Sequence, residues 1–169
     1  MPTNIEIKAV LRDWDRACRL AQAISDVPVE ILQQEDTFFN CQTGRLKLRR
    51  FSNHRGELIA YRRENIAGTK SSHYLIMQTS EPKALHQVLA DSLGITGIVK
   101  KQRHLYLHGQ TRIHLDQVEG LGTFLELEVV MKPDQPEAEG KQIACTIMKK
   151  LEVIPKDLIA GAYIDLILQ

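Results

Sequence analysis

The feature that most constrains this chain is an alternation in which charged residues occupy every second position of its extended segments. Successive side chains of a strand point to opposite faces. In the segment Asn4 to Val10, Ile5, Ile7 and Ala9 share one face and Asn4, Glu6 and Lys8 the other. Leu46 and Leu48 oppose Arg45, Lys47 and Arg49, and Ile113 and Leu115 oppose Arg112, His114 and Asp116. Leu125, Leu127 and Val129 oppose Glu126 and Glu128, while Arg62, Lys101 and Arg103 add cations within other strands.

An antiparallel sheet with one wet side satisfies this pattern with no function attached. Two details favour charged faces turned inward. The helical segments carry apolar stripes of their own (Trp14, Ala17, Cys18, Ala21 and Ile24 in the first) and can cover the apolar strand faces from outside. The charges are also sorted, with acids in the first and last strands and bases in the middle ones. Charges lining a closed cavity each cost several kcal/mol unless paired or hydrogen-bonded. Arg and Lys in excess suit a polyanion, and carboxylates beside them suit a hard divalent cation.

Periodicity predicts strands over Asn4 to Val10, Arg45 to Phe51, Glu57 to Arg63, His73 to Thr79, Ile98 to Leu107, Thr111 to Val118 and Thr123 to Met131. Pro28 to Asp36 reads either way, as an extended lead into Thr37 to Phe39. Asp13 caps the first helix, Ser80-Glu81-Pro82 starts a second, and a third carries Ile143, Ile147 and Leu151. Pro155 is expected to open a last helix through Leu158, Ala162 and Leu166. The fold class is α+β, with seven or eight antiparallel strands, enough to close a barrel.

The 169 residues fit a single domain over 1–169, and a net charge of +1 excludes a general binder of nucleic acid polymers or membrane surfaces. Cys18, Cys41 and Cys145 are odd in number and widely spaced, which reads as free thiols and a cytoplasmic location. No apolar run reaches spanning length, and the first residues lack the apolar core of a signal peptide.

Three stretches together resemble the CYTH family, the triphosphate tunnel metalloenzymes. Asn4-Ile5-Glu6-Ile7-Lys8 stands where that family has Glu-x-Glu-x-Lys, and Gly44 to Arg49 echoes its Gly-x-Leu-x-Leu-Arg strand. Arg112 to Asp116, Val118 to Gly122 and Phe124 to Glu128 are most similar to the class IV adenylyl cyclase-like branch. Lys101-Gln102-Arg103 resembles the Lys-x-Arg strand, and Ala162-Tyr163 sits where Ser-Tyr is usual.

The resemblance implies a closed eight-stranded antiparallel barrel with helices outside. It also implies catalytic roles for Lys8, Arg62 and Arg112, and triphosphate binding by Lys47, Arg49, Lys101 and Arg103. Glu6, Asp116, Glu126 and Glu128 would hold one or two Mg²⁺ or Mn²⁺ ions. Asn4, in place of the first Glu, leaves the site one carboxylate short. The implied activity is conversion of ATP to cyclic AMP and pyrophosphate. The alternatives are hydrolysis of thiamine triphosphate or tripolyphosphate, and binding without turnover. Dimers occur among similar proteins, so a homodimer is compatible with the resemblance. His114 shares the face of Arg112, either as a phosphate or proton contact or as polar filling. Lys70 and Tyr74 read as part of a solvated loop that can close over the mouth.

Overall fold

Short, glycine-marked turns fold the alternating segments into hairpins. The computed structural model describes all 169 residues. Eight strands form: β1 (Thr3–Val10), β2 (Glu30–Phe39), β3 (Arg45–Ser52), β4 (Arg55–Arg63), β5 (Lys70–Thr79), β6 (Ile95–His108), β7 (Thr111–Val118) and β8 (Gly122–Val130). They close into a barrel in the order β1-β5-β4-β3-β2-β6-β7-β8, every neighbouring pair antiparallel. Two meanders, β2 to β5 and β6 to β8, are joined by β1, which pairs with β5 on one side and β8 on the other. Between β6 and β7 the turn takes two residues, with Gly109 at φ 55°, a conformation that suits glycine.

The ambiguous stretch resolves as strand, since β2 runs through Asp36 to Phe39. The β3–β4 turn is shorter than expected: Arg55 and Gly56 already belong to β4, and a register shift lies between Arg50 and Ser52.

Four helices lie outside: α1 (Trp14–Ile24), α2 (Pro82–Leu93), α3 (Glu137–Lys150) and α4 (Tyr163–Ile167). Asp13 caps α1 by accepting from the Arg16 amide at 3.0 Å. The acids of the first turn of α3 and the lysines of its last turn complement the helix dipole. The continuous helix expected after Pro155 is not what forms. A single 3-10 turn, Pro155–Asp157, gives way to extended chain, because Leu158 bridges to Ala9 and the Ile159 amide donates to the Lys8 carbonyl at 2.9 Å. Helix resumes only after Gly161, whose φ is 82°.

The main apolar core lies between barrel and helices, not inside the barrel. Ile7, Ile113, Leu115, Leu125 and Leu127 face outward under Ala17 and Ala21 of α1, Ile147 of α3 and Leu151 just past its end. Each large side chain so buried contributes about 1.5–3 kcal/mol. Outward apolar faces leave the barrel interior to the charged ones. A second cluster, with Phe38, Val99, Phe124, Tyr163 and Ile164, closes one end of the barrel. Gly97 makes this closure fit, since a Cβ there would collide with the Ile164 side chain. No helix is long and apolar enough to cross a membrane.

Candidate active site

The barrel encloses a cavity of about 220 Å³, room for a polyatomic ligand and not just a lone water. Seven basic side chains line it, Lys8, Lys47, Arg49, Arg63, Lys101, Arg103 and Arg112, against five acids, Glu6, Asp36, Glu57, Glu126 and Glu128. The excess is positive. Leu32, Ile59, Ile76 and Leu105 also line the cavity, and strand register puts them toward the end away from Tyr163. That end is an apolar collar around an open mouth.

Deeper, β2 contributes Asp36 to a cluster of three cations. Arg49 donates to it at 2.8 and 2.7 Å, Lys47 at 3.0 Å and Lys101 at 3.5 Å. Burial pushes Asp36 up, but Arg49, Lys101 and Lys47 together hold it well below the usual carboxylate range. Burial lowers Lys101 strongly and Lys47 as well, because one carboxylate cannot neutralise three cations out of water. Arg63 is still less satisfied. Its Nη1 donates to Glu6 at 3.2 Å, while Nε and Nη2 are buried without any partner. Buried donors left this way cost about 1–3 kcal/mol each. An anion among these groups removes that cost.

Arg103 is anchored from behind. It forks onto Asp116 at 2.8 and 2.7 Å and reaches Glu126 at 3.4 Å, while the Tyr163 hydroxyl donates to Asp116 at 2.7 Å. Lys8 lies over the Tyr163 ring at 3.9 Å and equally far from Glu126. Burial lowers its ammonium below the ordinary lysine range, with Glu126 opposing.

The opposite wall is acidic. Register places Glu6 beside Glu128, and His114 beside Glu126. Burial, then Glu128 and Glu126, raise Glu6 to about 7. Such crowding of carboxylates is relieved by a divalent cation. Burial and then Arg103 push His114 down to about 3, so its imidazole is neutral. Asn4 completes the wall; its neighbours assign the amide oxygen to the side of Arg112 Nη2, 3.2 Å away, and the nitrogen to the side of the Thr3 carbonyl, 3.3 Å away. The oxygen is therefore engaged by a guanidinium.

Most residues singled out from the sequence converge here, and two do not. Arg62 points out of the barrel and is exposed. Arg63, two residues beyond the inward-facing Tyr61, takes the interior position instead. Asp116 is fully buried behind Arg103 and does not line the cavity, so its carboxylate meets the Arg103 guanidinium and not the cavity's interior. Lys70 is no loop residue. It opens β5, 1 % exposed, and donates to the Ile66 carbonyl at 3.0 Å, while Tyr74 does line the cavity. Asp36 lies in the stretch whose pattern reads either way, and no sequence signal marks it as a site residue.

Residues 2–163 match the family model described as CYTH domain. The chain belongs to the CYTH domain family. CYTH proteins are triphosphate-processing enzymes, and the positive cavity with its acidic wall is consistent with that chemistry. No curated protein sequence matches this CYTH domain. Among solved structures it is similar to the PH1012 protein of Pyrococcus horikoshii OT3, at 23 % identity and TM-score 0.83 over 96 % of this chain and 98 % of that one. A Vibrio parahaemolyticus protein proposed as an adenylate cyclase aligns at 16 % identity and TM-score 0.82 over 98 % of each chain. HpAC1 from Hippeastrum, described as revealing a dominant triphosphatase activity, aligns at 17 % identity and TM-score 0.63, covering 94 % of this chain and 91 % of that one. At these identities the likeness is one of fold.

Proposed function

We propose that this CYTH domain is a divalent-metal-dependent enzyme that hydrolyses an organic triphosphate. The observation that carries the reading is the surplus of buried, under-partnered cations, Arg63 above all, in a cavity with a carboxylate wall. Glu6, Glu126 and Glu128 would hold Mg²⁺ or Mn²⁺. The bound ion supplies Lewis-acid polarisation of phosphate oxygens.

The chain's own groups do the rest. Lys47, Arg49, Lys101 and Arg63 grip the phosphates and hold the charge that develops on the leaving oxygen. Asp116 and Tyr163 lock Arg103 in place, so its contribution needs little reorganisation. Lys8, with a depressed ammonium, is suited to hand a proton to the departing phosphate. The collar of Leu32, Ile59, Ile76 and Leu105 accepts an apolar or aromatic group without fixing its rotation. Hydrolysis tolerates that freedom. The dominant triphosphatase activity described for HpAC1, which shares this fold, agrees with the choice.

A cyclase reading draws on Gln34, whose buried Oε1 has no partner and lines the cavity. That oxygen can accept from the exocyclic amine of adenine, which would help hold ATP for attack by its 3′-hydroxyl. The two readings separate by products. Incubation with ATP, thiamine triphosphate or tripolyphosphate and Mg²⁺ or Mn²⁺ is expected to release orthophosphate or pyrophosphate, fastest from an organic substrate. Cyclic AMP as the main product would overturn hydrolysis in favour of cyclisation. Binding without turnover of any of the three would overturn both. The free thiols of Cys18, Cys41 and Cys145 fit work in the reducing cytoplasm.

A further inference from the structure

β7 sends His114 into the cavity, where it is 3 % exposed and its Nδ1 has no hydrogen-bond partner. Buried imidazole nitrogens are normally satisfied, and leaving one bare costs about 1–3 kcal/mol. One potential ligand atom from each of His114, Glu126 and Glu128 lies within 4.8 Å of the other two. Points so spaced have a common centre within about 3 Å of each, so small side-chain shifts bring all three to the bonding distance of roughly 2.1 Å.

We propose that His114 coordinates the divalent ion together with Glu126 and Glu128, making a mixed nitrogen–oxygen site that favours Mn²⁺ or Co²⁺ over Mg²⁺. The inference rests on the reading that the cavity holds a divalent ion, and it names that ion's class. Mg²⁺ keeps to oxygen ligands and to strict octahedral geometry. An imidazole shifts preference toward first-row transition ions. The neighbouring strand supplies a reason for the arrangement. Asn4, whose amide oxygen is assigned to Arg112 by its surroundings, leaves β1 a single carboxylate, Glu6. The donor that β1 lacks comes from β7 as a neutral nitrogen, which adds no further repulsion to the crowded acids.

The test is metal-free protein titrated with Mn²⁺ and read by electron paramagnetic resonance, with Mg²⁺ competition measured in parallel. Wild type is expected to show ¹⁴N modulation on bound Mn²⁺ in the pulsed experiment. His114→Gln, close in size, is expected to lose that modulation and to bind Mn²⁺ at least ~10-fold more weakly, the lower end of what loss of even a supporting residue costs. Its Mg²⁺ affinity should change far less. Bound Mn²⁺ without nitrogen modulation in wild type overturns this assignment and leaves the metal-dependent reading standing. No Mn²⁺ binding at all overturns both. The wild-type spectrum decides the matter even should the variant fail to fold.

Discussion

Glu6 sits in an unfavourable electrostatic position in the cavity, and removing its charge should stabilise the protein while disabling the site. Its carboxyl is raised from 4.5 to about 7 by burial and by Glu128 and Glu126. For a group raised this way, stability is fully present below the unfolded value and is lost as pH rises toward the folded one. The window therefore runs from pH 4.5 to about 7. At about 1.4 kcal/mol per pH unit, the ionised carboxylate at pH 8.5 costs roughly 3 kcal/mol. Glu6→Gln removes that cost, in which the attraction of Arg63 Nη1 at 3.2 Å and of Lys8 is already counted. The net expectation for metal-free protein at pH 8.5 is a variant more stable by about 3 kcal/mol, or roughly 6–12 °C in Tm. At pH 5, where wild-type Glu6 is protonated, the two proteins should agree within about 1 kcal/mol. Urea denaturation in EDTA at both pH values measures this directly. Added Mn²⁺ should then stabilise wild type more than the variant. A variant less stable than wild type at pH 8.5 would show that the acids are not crowded, and the reasoning about a cation-seeking wall would fall with it.

Other consequences follow from the same geometry. Arg63→Met should weaken tripolyphosphate binding by roughly 10–100-fold, the worth of one or two charged hydrogen bonds, whereas Arg62→Met should leave it unchanged; calorimetric titration compares them. Asp116→Asn strands the Arg103 guanidinium in the interior and should cost about 3–5 kcal/mol in denaturant unfolding, against about 1–2 kcal/mol for Tyr163→Phe, which removes a single hydrogen bond. Gly97→Ala should displace Ile164 and loosen α4, seen as faster amide exchange over residues 163–167 with the barrel amides still protected.

Much of this architecture was legible because the helices and the strands spoke to the same question. Alternation alone could not say whether Glu126 or Leu127 faced the core. The apolar stripe of α1 needed an apolar surface to cover, and the outward faces of β6 and β7 provide it. Arg62 shows the opposite lesson. Period two counted from Ile59 and Tyr61 leads to Arg63, and a motif match one residue off overrode it. Strand pattern was the better guide there, because a shift of one residue exchanges the inside for the outside.

Depth along the barrel is what no periodicity carries, and Asp116 depends on it. It shares a face with Arg112 and His114, as alternation required, yet lies nearest the end that Phe124 and Tyr163 close. The same carboxylate would be a cation ligand two residues nearer the mouth. Where it stands, Arg103 and the Tyr163 hydroxyl take both of its oxygens, and Arg103 joins Arg49, Lys101 and Lys47 among the bases that line the cavity. The position of Tyr163 depends in turn on a helix interruption that sequence periodicity does not carry, the extended stretch between Asp157 and Ala162 that pairs with β1. The C-terminal segment is thus part of the site's chemistry: it shuts one end, presses an aromatic face on Lys8, and holds Asp116 so that Arg103 points at the place where charge must be met.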